Sequence, residues 1–91
     1  KASAGQLYAY FAFNPEAATT FVHFYNTAAA SVTVGTTNPL FTIQIPAGSA
    51  ANLAFPYGVL FSNAGWSVAA TTTAGGNTAP STGVSLEVWY A

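Results

Sequence analysis

LFTIQIPAGSAANLAFPYGVLFS, residues 40–62, decides the fold class. Phe41, Ile43 and Ile45 fall on one side of an extended chain with Thr42 and Gln44 on the other, and Leu53 and Phe55 resume the alternation further on. A period of two with one apolar face is the pattern of half-buried strands. Between the two runs, Pro46-Ala47-Gly48 predicts a corner where the chain passes from one sheet to another. Pro56-Tyr57-Gly58 predicts a turn, with Pro at its start and Gly free to take a positive φ.

The flanking segments extend the same grammar. Residues 6–13 are rich in Tyr, Phe and Leu and read as a strand that Asn14-Pro15 ends, because proline cannot donate to a ladder. Leu7, Ala9, Phe11 and Phe13 form one row and Tyr8, Tyr10 and Ala12 the other, so both faces are apolar. Such a strand is either covered on both sides or presents its tyrosines to a partner. Residues 16–19 are too few for a stable helix and read as a loop. A second strand, 20–26, points Val22 and Phe24 inward and His23 and Tyr25 outward, and 31–34 reads as a short edge strand before the turn at 35–39. Trp66, Val68 and Ala70 share a face in a strand at 66–72. Residues 71–82, with Thr, Gly, Asn and Pro and no period, read as an exposed loop. Residues 83–90 alternate most cleanly, Val84, Leu86, Val88 and Tyr90 against Ser85, Glu87 and Trp89, and are expected to form a central strand. The whole, residues 1–91, is expected to be one all-β domain: a single β-sandwich, Greek-key or jelly-roll-like, of about seven short antiparallel strands.

Composition narrows what such a domain does. Charged residues make up 3% of the chain, where an ordinary soluble domain has about 25%. With 52% hydrophobic residues and a net charge of −1, little repulsion keeps copies apart, which is expected of a subunit whose surface is covered in its working state. At 91 residues a lone core is marginal, and there is no Cys to staple it. No apolar run approaches the roughly 20 residues of a membrane-crossing helix, and the strands are too short and few for a single-chain outer-membrane barrel. One Lys and no Arg cannot neutralise a phosphate backbone, so no nucleic-acid partner is expected. The first residue is Lys rather than Met, as expected of a processed chain.

Catalysis finds no constellation. The side chains that carry charge near neutrality are Lys1, Glu16, Glu87 and, on protonation, His23. Glu16 and Glu87 would act as a glycosidase pair only if the fold brought them within about 5–9.5 Å, and their spacing suggests no such thing. No enzyme, metal site or cofactor is expected. His23 is expected at the surface or an interface as a hydrogen-bonding residue, with a pH-sensitive subunit contact as the sharper reading and a metal ligand as the remaining one. Aromatic side chains with polar tips gather where surfaces meet, so Tyr8, Tyr10, His23, Tyr25, Tyr57 and Trp89 are the predicted interface residues.

Several segments carry a resemblance: KASAGQLYAY at 1–10, FVHFYN at 21–26, VGTTNP at 34–39 running into LFTIQIPAG, LAFPYGVLFSNAGWSVAATT at 53–72, and the closing Tyr90-Ala91. Together they resemble a family of small β-rich virion-associated proteins of tailed bacteriophages. His23 stands where Lys is common in that family, and this chain is poorer in charge and richer in Phe. The resemblance implies a virion location and a structural role. The expected role is a capsid decoration or cement protein that forms a homo-oligomer, with a trimer favoured, and contacts the major capsid protein or another virion protein. A receptor- or glycan-binding module of a tail fibre or capsid surface, and a subunit of an extracellular filament, are the alternatives.

Overall fold

The computed structural model describes residues 5–61, 65–80 and 83–90, and the side chains of these except 55–57 and 59–61. Six strands appear among the described residues: β1 (Gly5–Phe13), β2 (Thr20–Tyr25), β3 (Phe41–Ile45), β4 (Ala50–Phe61), β5 (Ser67–Thr71) and β6 (Ser85–Tyr90). They form two antiparallel three-stranded sheets, β4-β1-β6 and β3-β2-β5. The count is thus one fewer than expected. Residues 31–34 supply no strand, since a single 3₁₀ turn, Ala29–Ser31, ends there and a turn at 34–36, closed by Thr36 N–H donating to Thr33 C=O at 3.0 Å, begins.

Each sheet turns its apolar rows to a shared core. Leu7, Tyr10 and Ala12 come from β1, Val22 and Phe24 from β2, Ile45 from β3, and Trp66 from the segment before β5. Phe24 lies at the centre, stacked on Phe41 at 4.5 Å and tilted against Tyr10 at 5.9 Å. The alternation read in β3 holds, with Ile45 fully buried, Phe41 and Ile43 packed on the core, and Thr42 and Gln44 exposed. The predicted corner also holds. Ser49 N–H donates to Pro46 C=O at 3.1 Å across a turn whose third residue, Gly48, has φ +65°. That is a conformation glycine adopts without steric cost, and it delivers the chain from the second sheet to the first.

Three expectations are corrected. Pro56-Tyr57-Gly58 is not a turn between strands, because β4 runs continuously from Ala50 to Phe61 and absorbs these residues as an irregularity opposite Tyr8. Gly58, at φ +76°, lies where an added Cβ would sit 3.1 Å from the Tyr8 ring. The last strand, β6, is an edge strand, whereas β1 and β2 are central. Its clean alternation reports one exposed face and carries no information about neighbours on either side. The first strand changes phase at Tyr8. Leu7 pairs with Tyr90 and Ala9 with Trp89, so two steps along β1 match one along β6, which is a β-bulge. Leu7 and Tyr10 therefore both face inward, and Ala9, Phe11 and Phe13 outward. The molecule measures 34 × 28 × 16 Å, and the outward side chains of β1, β4 and β6 form part of its surface.

Candidate functional site

The outer face of the β4-β1-β6 sheet is where aromatic surface gathers. Cross-strand partners share a face, which arranges the outward side chains in three rows. Trp89, Ala9 and Ala54 form the first, Glu87, Phe11 and Asn52 the second, and Ser85, Phe13 and Ala50 the third. Trp89 is 53% exposed, and Phe11, Phe13 and Tyr8 are each 39% exposed. Tyr8, at the bulge, continues this face beyond Ala9, with its hydroxyl hydrogen-bonded to Gln6. Ala9, Phe11, Asn52, Ala54, Glu87 and Trp89 line an open groove of about 650 Å³. The groove offers aromatic area, one carboxylate, and an amide that both donates and accepts, on opposite sides of Phe11. No cation lies in these rows.

Two of the six predicted interface residues, Tyr8 and Trp89, lie on this face. The side chain of Tyr57 lies outside those described. The other three are buried: Tyr10 on the core side, against expectation, and His23 and Tyr25 on the face of β2 away from Val22 and Phe24, as expected, but covered there. Tyr10 turns into the core because of the bulge and is 7% exposed; burial raises its phenol pKa above the ordinary value. Tyr25 is buried on the far side of β2, with its pKa likewise raised by burial, and its ring lies 6.2 Å from that of His23.

His23 is 2% exposed and held between two strands. Its Nδ1 lies 2.8 Å from Thr42 Oγ1 on β3 and its Nε2 lies 2.8 Å from Thr71 Oγ1 on β5. The Thr71 hydroxyl spends its only proton on the Thr73 carbonyl at 2.7 Å. Its oxygen must then accept from His23, which places the proton on Nε2 and leaves Nδ1 to accept from the Thr42 hydroxyl. Burial holds the imidazole pKa below its usual value, so this neutral tautomer is the form near pH 7. His23 is thus a cross-strand tie inside one sheet and not a surface contact. Among the described residues no group of three or more His, Cys, Asp or Glu is placed to hold a metal ion.

Glu16 and Glu87 line different clefts, Glu16 that of Ala17, Ala18, Thr72 and Pro80, and are not brought together. A third polar feature went unread in the sequence. Asn14, fully buried, donates through Nδ2 to the carbonyls of Ala18, Ile45 and Pro46 at 2.9, 3.0 and 3.3 Å. Its Oδ1 accepts from Glu16 N–H at 3.0 Å and the Thr20 hydroxyl at 3.2 Å, and its own N–H donates to Ser49 C=O at 2.8 Å. It joins the loop after β1 to the corner between the sheets. The sequence signal for it was slight: an Asn before Pro at a strand end, read only as a stop. Comparison of the chain with known protein families, curated proteins and solved structures finds no match.

Proposed function

We propose that the chain is a structural, non-enzymatic subunit of a tailed-phage particle, a decoration or cement protein that self-associates and reinforces contacts in the shell. In this reading its two sheets form a single β-sandwich, Greek-key or jelly-roll-like, and the outer face of β4-β1-β6 is the surface through which copies associate on the shell. The observation that carries the proposal is that face, with Trp89, Phe11, Phe13 and Tyr8 exposed on a chain with 3% charged residues. Covering the exposed parts of these four rings removes on the order of 350 Å² of mostly apolar surface, about 9 kcal/mol before the costs of association. The phage resemblance supplies the setting. The test is co-sedimentation of purified chain with undecorated phage shells. Binding is expected for the native chain and at least tenfold weaker binding for Trp89→Ser or Phe11→Ser. Failure to bind, or unchanged binding by both variants, would refute it.

A second reading rests on the same groove. Trp89 and Phe11 beside Glu87 and Asn52 give a sugar ring both stacking surface and hydroxyl partners, as in a glycan-binding module. In that case an oligosaccharide quenches or shifts Trp89 fluorescence.

A further inference from the structure

The outer face of β4-β1-β6 carries one carboxylate and no cation in its three rows, so any partner that covers it must bring a hydrogen-bond donor to Glu87. The face supplies that donor itself. Asn52 sits at the mirror position across Phe11, on the opposite edge strand of the same row. When two identical sheets meet face to face, a two-fold axis lying along β1 carries β6 of one copy over β4 of the other. Glu87 then meets the Asn52 amide, Trp89 covers Ala54, and Ser85 lies over Ala50. Phe11 and Phe13, on the axis, meet their own counterparts. Each large or charged group on one edge faces a small or donating one on the other.

The competing two-fold axis, across the strands, keeps β6 over β6. It sets Glu87 against Glu87, two carboxylates facing each other in a desolvated interface without a cation. Electrostatics therefore selects the first axis. Sheet twist does not spoil the match. At an aligned packing angle of about 30°, a flanking strand about 4.8 Å from the axis strand shifts by about 2.4 Å, less than one residue. The area is also sufficient: the aromatic, small and polar side chains of the three rows together give about 600 Å² per copy, or about 1,200 Å² in total, the lower bound of specific interfaces.

We propose that this face is an isologous interface between two copies of the chain, with the two-fold axis along β1 and Glu87 of each copy bonded to Asn52 of the other. The proposal deepens the assembly reading and rests on it. The threefold arrangement favoured from the sequence draws on no such pairing among the described residues.

The experiment is light scattering behind a sizing column over a concentration range, with near-ultraviolet circular dichroism to confirm that each variant is folded. The native chain should dimerise at micromolar concentrations. Asn52→Asp sets a carboxylate against Glu87 of the other copy, twice by symmetry, and should weaken the dimer at least a hundredfold. Adding Glu87→Lys to that variant should restore it to within tenfold, because the new carboxylate of one copy and the new ammonium of the other then meet across the axis. With the axis across the strands, or with a different partner on this face, the double variant places like charges together or pairs nothing and restores nothing. A native chain that stays monomeric to about 0.5 mM, a folded Asn52→Asp variant that still dimerises normally, or an unrestored double variant each overturns the proposal. A monomer that still coats shells removes the two-fold and leaves the assembly reading intact, and a dimer that ignores shells does the reverse.

Discussion

Replacing Asn14 by aspartate exchanges one amide nitrogen for an oxygen and inverts the role of the most heavily bonded buried side chain among the described residues. The Nδ2 donors face three carbonyls, those of Ala18, Ile45 and Pro46. In Asn14→Asp an oxygen takes that place, so the three hydrogen bonds made by the two amide protons are lost and a carboxylate is pressed against acceptors in a buried site. Losing a buried bond and leaving its partner unsatisfied costs about 1–3 kcal/mol, more when charge is involved, so a loss of about 4 kcal/mol at pH 7 is expected. For a chain of this length total stability is about 5–14 kcal/mol, and the loss lowers Tm by roughly 20 °C. Protonation returns one donor. The folded-state pKa of this Asp must lie above its unfolded value of about 3.9, so the folded state binds the proton more tightly. The penalty is then smallest below pH 4 and grows as pH rises through the folded pKa. Urea melts of the native chain and Asn14→Asp at pH 7 and pH 3.5 read both effects. A difference within about 1 kcal/mol at pH 7, or a penalty that grows on acidification, would refute the clamp.

His23 gives the opposite pH dependence. With its pKa lowered by burial, the unfolded chain takes up a proton first as pH falls below about 6.5. Its contribution is therefore complete above that value and is lost towards the lower folded pKa, at no more than about 1.4 kcal/mol per pH unit. Urea midpoints at pH 7.5 and 5 should show the loss, His23→Gln should flatten it, and ¹⁵N spectra of the native ring should report a proton on Nε2. Gly58→Ala forces a side chain into φ +76° and towards the Tyr8 ring, and chemical denaturation should show a loss of about 1–2 kcal/mol. Phe24→Ala removes the ring between Phe41 and Tyr10 and should cost about 3–5 kcal/mol by the same assay.

What the chain disclosed in advance follows from where its polarity contrasts. In β3, Thr42 and Gln44 alternate with apolar neighbours, and in β6, Ser85 and Glu87 do, so the faces were legible there. Pro46-Ala47-Gly48 carried its own conformational demand and marked the corner. β2 defeated the same logic. His23 and Tyr25 alternate with Val22 and Phe24, but β2 is a central strand covered on both faces, and burial of the second face depends on neighbours that alternation cannot report. Asn14 was illegible for a related reason. Its value lies in carbonyls 4 to 32 residues away, and nothing in Asn-Pro distinguishes a clamp from a strand end.

β1 shows how one local event decides what the molecule presents. Residues 6–13 are apolar on both sides, so the sequence holds no contrast that would fix their phase. An unbroken strand would have set Leu7, Ala9, Phe11 and Phe13 on the core and turned Tyr8 and Tyr10 outward together. The bulge at Tyr8 divides that row. Opposite it, Pro56 withholds a donor, Gly58 takes a positive φ, and β4 spends five steps where β1 spends two. Tyr10 is thereby carried inward against Phe24, and Phe11 and Phe13 are released to the surface beside Trp89. The outer face exchanges a hydroxyl for two phenyl rings, which gain by being covered and offer no hydrogen bond to water. The bulge thus determines which face exposes these rings.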